Sequence, residues 1–265
     1  MRHIMSWSGG KDSTASIILA HIHNEPLDEI LFAEVMYDNE RGISGEHPRH
    51  IHFINEVAIP LFESWGYKVT VLRSEMDYLT HFNHVITKNS EKNKGKRYGF
   101  CMSGICSIKR ECKMRPINDY YKAHFNEEEV MQYVGIAIDE PKRLESLHKD
   151  PTRISLLEKY CITEAGAKAL CEQHGLLSPA YELSNRGGCF FCENAKCAEH
   201  KAMRKENPDL WYEFIALENE ENLAYSRWKS YGGETLHDRE ERFKREDLQL
   251  SLFDDWVAEY FNIAI

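Results

Sequence analysis

Apolar positions form short dense runs in the first half of the chain and spaced, helical intervals in the second. RHIMSW (2–7), EILFAEVMY (29–37) and YKVTVLRS (67–74) are compact and rich in β-branched or aromatic residues, and VMQYVGIAI (130–138) is a fourth run of this kind. Such runs predict strands. Between the first three, ASIILAHIHN (15–24) and HIHFINEVAIPLFESWG (50–66) place apolar residues at helical spacing, the second interrupted by Pro60 and closed by Gly66. This alternation predicts an α/β fold, a parallel twisted sheet with right-handed crossovers and helices on both faces.

From about residue 140 the texture changes. ISLLEKYC (154–161), TEAGAKALCEQHG (163–175) and PDLWYEFIALENEEN (208–222) favour helix, with Thr163 suggesting a helix start, and no strong strand run remains. The expected organisation is an α/β domain over 1–145 and a helical lobe over 146–265 packed on it. A last helix, DLQLSLFDDWVAEYF (247–261), is expected to dock on the core or on a partner subunit, which makes a homodimer an expectation. Neither an internal repeat nor a low-complexity linker interrupts the chain.

Composition fits a globular protein: 265 residues, 42% hydrophobic and 29% charged. No stretch approaches the apolar length of a membrane span, and the opening residues are too weakly apolar for an export signal, so a cytoplasmic location is expected. A formal net charge of −10 argues against broad adhesion to nucleic acid. The basic run that starts at Lys88, KNSEKNKGKRYG, reads either as a local basic groove or as a solvated loop.

Candidate chemistry starts at SGGKDST (8–14), between the first strand and the first helix. Consecutive glycines let backbone N–H groups converge without side-chain obstruction, and a following helix adds its positive end, which makes an anion site. Ser8, Ser13 and Thr14 offer hydroxyls, Lys11 offers a positive charge, and Asp12 suits Mg²⁺ held through water or orientation of the loop. A Walker-type loop is disfavoured, because Met5 stands where it needs glycine and Asp12 where it needs Ser or Thr.

SGGKDST resembles the pyrophosphate loop (PP-loop) of the adenine nucleotide alpha-hydrolase superfamily. The resemblance implies ATP with Mg²⁺, its terminal phosphates held by Ser8, Gly9, Gly10, Lys11, Asp12, Ser13 and Thr14. It also implies attack at the α-phosphorus with departure of pyrophosphate, and makes Lys11 and Asp12 the catalytic candidates. CSIKRECKMRPINDYY (106–121) and VGIAIDEPKRL (134–144) are similar to segments of the phosphoadenosine phosphosulfate (PAPS) reductase-like branch. The first matches at Lys113, Pro116 and Ile117. The second matches at Gly135, Ile136, Asp139, Glu140 and Arg143, with Ala137 where that branch usually has arginine. Gly135 and Arg143 are therefore expected near the nucleotide. The superfamily also places adenine at the end of the second strand, where Asp38 and Glu46 read either as pocket residues or as solvated acids.

The eight cysteines, with no export signal, point to metal or redox chemistry rather than disulfides. Cys189 and Cys192 form a CxxC pair after two glycines, and Cys106 and Cys112 lie among Lys109, Arg110 and Lys113, which favour thiolate. Brought together, Cys106, Cys112, Cys189 and Cys192 would offer four sulfurs to a [4Fe–4S] cluster or to structural Zn²⁺. The arrangement resembles iron–sulfur members of the reductase branch, whose upstream cysteines are adjacent, as these are not. Cys101 and Cys197 stay open as substitute ligands, sulfur carriers or inert thiols. Cys161 and Cys171 are expected to be buried small hydrophobes, and His47, His50 and His52 core or surface histidines.

Three functions follow. One is an ATP-using enzyme that adenylates an acceptor and releases pyrophosphate, with a sulfur donor, in sulfur transfer onto a nucleic acid or a small molecule. Another is reduction of PAPS or adenosine phosphosulfate with a thioredoxin-like reductant, opposed by the absence of any cysteine after residue 197. The third is a non-catalytic nucleotide sensor with a structural metal.

Overall fold

The computed structural model describes residues 1–88, 92–101, 106–125, 129–185, 187–229 and 233–261, with 251–261 as backbone only. The chain begins β1 (Arg2–Trp7), α1 (Lys11–Ile22), β2 (Glu29–Glu34), β3 (Met36–Asp38), β4 (Ile43–Ser44) and α2 (Pro48–Phe53). A π-helical turn (Ile54–Ala58) leads to α3 (Ile59–Ser64), β5 (Lys68–Arg73), α4 (Tyr78–Asn83) and β6 (Arg97–Gly99). A second π-helical turn (Lys109–Met114) runs into α5 (Arg115–His124), followed by β7 (Val130–Tyr133), α6 (Pro141–Leu147), β8 (Arg153–Ile154), α7 (Leu156–Lys159) and α8 (Glu164–Gln173). The remainder is α9 (Cys197–Glu206), α10 (Pro208–Ala216), β9 (Leu223–Tyr225) and α11 (Leu236–Phe261).

The main sheet has the order β5–β2–β1–β7–β8, and every pair in it is parallel. Strand order reverses between β1 and β7, the place where open α/β sheets leave a crevice at the carboxyl ends of their strands. Register puts Met5, Ile30, Val69 and Tyr133 on one face, over α1, α3, α7 and α8. The opposite face carries Ile4, Glu29, Lys68 and Gln132 in register. It meets α5, where Tyr120 donates to Glu29 and Gln132 donates to the Tyr121 hydroxyl. The predicted parallel α/β sheet with helices on both faces is what forms.

Boundaries differ from the sequence reading for identifiable reasons. The expected helix over 50–66 is split, because Pro60 lacks an N–H and sits in the first turn of a fresh helix, α3, after the π-helical turn. The run 130–138 is strand only to Tyr133; beyond it Gly135 bends in against α1. In the run 29–37, β2 ends at Glu34 and the chain resumes as β3 in a small antiparallel pair with β4. Residues 154–161 form the end of edge strand β8 and the short α7 instead of one helix. Thr163 does cap α8, its hydroxyl accepting from the Gly166 N–H at 3.1 Å.

Among the described residues two large hydrophobic clusters and a small third one, of Ile136, Leu144 and Leu147, form the core. The first gathers the sheet face with α1, α3, α7 and α8 and draws on residues through Leu176, beyond residue 145. The second joins Val35, Tyr37, Tyr78, Phe82 and Phe100 to Phe190, Trp211, Phe214, Trp228 and Phe243. β6 and β9 pair in parallel at its edge, where Gly99 (φ +85°) lies so near Tyr225 that an added Cβ would stand 2.2 Å from that carbonyl oxygen. α11 starts at Leu236, well before the predicted 247, and Leu248 and Leu250 on it are exposed. Among the described residues no helix is long and apolar enough to cross a membrane.

Candidate functional site

The loop at 8–14 closes between the carboxyl end of β1 and the first turn of α1, at the edge where strand order reverses. Gly9 turns the chain with φ +73° and Gly10 is the N-cap of α1. A Cβ at Gly9 would meet the His50 ring and Ile54 within 2.8 Å, so glycine is required there by both conformation and space. Gly135 closes the opposite wall: its added Cβ would stand 2.6 Å from the Ser13 nitrogen. The predicted residue is thus packed on the loop backbone itself.

The hydroxyls divide their tasks. Ser8 and Ser13 face one another at 3.2 Å, and Ser13 donates to the Gly10 carbonyl at 3.0 Å, which braces the turn. Thr14 is buried and its hydroxyl accepts from the Trp7 indole at 2.9 Å, which ties it to β1. The Lys11 N–H donates to the Tyr181 hydroxyl at 2.9 Å, and the Cys171 thiol donates to the Lys11 carbonyl at 3.2 Å.

The Lys11 ammonium lies 2.8 Å from Asp12 and 3.1 Å from Glu164. Burial opposes its charge, yet these two carboxylates carry its pKa above the ordinary lysine value. For Asp12 burial dominates and raises the carboxyl pKa, Lys11 pulls it down, and Glu164 and Glu140 add to the rise. Two further acids around one Lys–Asp pair leave an excess of negative charge beside the loop. Glu164 and Tyr181 were not singled out in the sequence; both lie more than 150 residues from the loop and carry no local signature.

The other predicted nucleotide residues sit farther out. Arg143 is exposed and pairs with Glu140, whose second oxygen accepts from the Ala137 N–H at 3.1 Å. It reaches the loop region only through that glutamate. Asp38 at the end of β3 accepts from the Arg41 backbone and side chain, and the Arg41 hydrogen bonds hold its carboxyl below the usual range. Arg41 continues to Glu213 on α10 at 2.6 Å, so Asp38 ties β3 to the second cluster.

Behind the loop lies a buried polar group. The His50 ring is fully buried beneath Gly9 and beside Gly187, where an added Cβ would stand 3.0 Å from it. Its Nδ1 meets the Ser178 hydroxyl at 2.8 Å, and burial lowers its pKa. His47 is buried as well, against the Glu199 carbonyl, while His52 is exposed. Glu46, 1% exposed, takes the Lys113 ammonium at 2.7 Å and pairs across a β-bridge with Cys189. Burial disfavours charge on Lys113, but Glu46, Cys189 and Cys106 around it raise its pKa.

The cysteines regroup. Cys112 is buried, donates its thiol to the Met76 carbonyl at 3.1 Å, and burial pushes it up to about 12. It is a core thiol, which corrects its place in the predicted set of four. Cys101 stands beside Cys106 instead: the Cys101 thiol hydrogen-bonds to the Cys106 sulfur, which lowers the Cys106 pKa, helped by the Lys109 N–H at 3.4 Å. Cys189 feels Glu46, Lys113, Cys192 and Cys106, and burial holds it protonated. Among the described residues no three Cys, His, Asp or Glu side chains stand together at metal-binding spacing. The predicted four cysteines therefore do not fit a cluster or a zinc ion as folded. Cys171 is buried as expected; Cys161 is exposed at a left-handed turn (φ +56°) after α7, contrary to expectation. Cys197 is exposed, with the Arg242 guanidinium 2.9 Å from its sulfur.

No family model matches the chain, and no curated protein matches it. Among solved structures it is similar to the U34-tRNA thiolase NcsA from Methanococcus maripaludis with its [4Fe–4S] cluster, at 13% sequence identity. The match covers 84% of this chain and 74% of that one with a TM-score of 0.40, a likeness too low to carry an argument about this chain.

Proposed function

We propose that the chain is an ATP-using enzyme of the PP-loop type, which cleaves ATP between the α- and β-phosphates, adenylates an acceptor and releases pyrophosphate, as a step in sulfur transfer. The observation that carries this reading is the loop itself: Gly9 turns tightly over His50 and Gly135 packs on the Asp12–Ser13 backbone, at the reversal point of a parallel sheet and the amino end of α1. The PAPS-reductase-like resemblance of 106–121 and 134–144 supports the branch without selecting its substrate.

In this reading the terminal phosphates rest on the N–H groups at the start of α1 and on Lys11, which gives up its contacts to Asp12 and Glu164 for phosphate oxygens. Mg²⁺ would be held by Asp12 with the phosphates and would neutralise their charge. Ser8 and Ser13 keep the turn in shape. The barrier falls through positioning and through charge stabilisation as pyrophosphate departs. Cys106, with its lowered pKa and its position beside Lys113, is the thiolate that suits sulfur chemistry. No step is routed through a metal cluster.

The test is product analysis with labelled ATP, with and without candidate acceptors. AMP and pyrophosphate are expected; ADP and orthophosphate would sink the reading. In Lys11→Ala, loss of a charge-assisted contact of about 1.5–3 kcal/mol should weaken ATP binding at least tenfold. Its melting temperature should stay close to that of the parent.

A further inference from the structure

A cavity of about 400 Å³ opens beside the cysteines, between α4, the β6–β9 pair and the second π-helical turn. Tyr98 and Tyr225 line it, their rings 5.1 Å apart and tilted, with Met76 and Ile86 in the same wall. His81 lines it too, edge-on to Tyr98 at 4.3 Å. Only 6% of His81 is exposed and its Nδ1 has no hydrogen-bond partner. Burial, then His84, holds this imidazole pKa down to about 4, so it is neutral, with one ring nitrogen to donate and one to accept.

Cations stand at the mouth. Lys88 and Arg110 are wall residues, and Lys92 and Lys94 flank Asn93, another wall residue. Among the described residues Lys88, Lys92 and Lys94 form no ion pair, whereas the wall acid Glu111 is neutralised by Arg110 and Arg115. Lys88 of the basic run thus lines the cavity, with Lys92 and Lys94 on either side of wall residue Asn93. Ser107, in the same wall, has its hydroxyl 4.0 Å from the Cys101 sulfur.

We propose that this cavity binds one unstacked base of a single-stranded nucleic acid, with adjoining phosphates on Lys88, Lys92 and Lys94. Aromatic rings beside unpaired cations are the recognition chemistry of single strands. His81, edge-on to Tyr98, holds that ring in place. That the bound strand is the acceptor rests on the adenylation reading; the binding does not.

The experiment follows fluorescence anisotropy of a short fluorescein-labelled RNA of mixed sequence, the same sequence as single-stranded DNA, and the duplex. Either single strand should bind more tightly than the duplex, and the two single-strand arms show which source is preferred. Tyr98→Ala should weaken single-strand binding about tenfold, as loss of a stacked base does, while Tyr98→Phe stays near the parent. Lys88→Gln with Lys92→Gln and Lys94→Gln, all surface changes, should lower the salt slope by about 2. Lys11→Ala should leave strand binding unchanged while ATP binding fails, which separates this proposal from the adenylation reading. Equal or tighter duplex binding, or strand binding indifferent to both Tyr98→Ala and the lysine changes, would overturn it.

Discussion

The two large hydrophobic clusters are built on different plans. The sheet cluster is mainly aliphatic and assembled from consecutive strand–helix units, with Ile17, Ile18 and Leu19 of α1 in one cluster with Met5 and Ile30. The other is aromatic and assembled from stretches far apart in the chain: Tyr78 stacks on Tyr37 and Phe191, Phe190 tilts against Tyr37, and Trp211 and Trp228 enclose His200 with ring centroids 5.0 Å away. It also buries charge, with Arg239 stacked 4.5 Å over Trp228 and Glu240 accepting from the Trp211 indole at 2.8 Å. Periodic apolar residues suffice where neighbours in sequence are neighbours in space. Where distant segments meet, large rings fill irregular volume and hydrogen-bonded polar groups fix how the pieces dock.

Trp211→Ala tests that contrast most severely. It removes a buried indole and its bond to Glu240, at about 3–5 kcal/mol, while Ile17→Val in the sheet cluster should cost only about 0.5–1.5 kcal/mol. The backbone links His47 N–H to Gly188 carbonyl (3.1 Å) and Phe190 N–H to Gly45 carbonyl (3.0 Å) join the two regions. Circular dichroism and ATP binding should therefore fall together on urea titration of Trp211→Ala. ATP binding that survives loss of the second cluster would show two independent units.

Acid should act on the aromatic cluster next. Burial, then Arg239, lowers the His200 pKa to about 3. An unfolded histidine titrates near 6.5, so between these values the unfolded state binds the extra proton. The stabilisation is complete above pH 6.5 and is lost as pH falls, by about 2 kcal/mol at pH 5 for this one group. Urea midpoints measured from pH 7 to pH 5 should show the slope, and His200→Gln should flatten it. An unchanged slope in the variant would assign the effect to His47, His50 or His81, whose pKa values are also lowered by burial.

Cys112→Ser should do least. A serine hydroxyl can still donate to the Met76 carbonyl, so a near-isosteric change should cost less than about 1.5 kcal/mol. Iron and zinc content after anaerobic purification should match the parent. Metal lost from Cys112→Ser would return this residue to a ligand role and contradict its assignment to the aromatic cluster.

The parallel sheet, the first crossover helix and the glycine turn were legible along the chain, because each depends on spacing within some twenty residues and on what glycine permits. The position of the turn at the reversal of strand order came only with the sheet order β5–β2–β1–β7–β8. What each side chain does there was not. Thr14 bonds to Trp7, Lys11 meets Glu164, and Cys106 pairs with Cys101 while Cys112 bonds to the Met76 carbonyl. Sequence spacing limits which groups can meet. Crossover packing decides which do, since a hydrogen bond forms only where the folded backbone holds donor and acceptor within about 3 Å of each other.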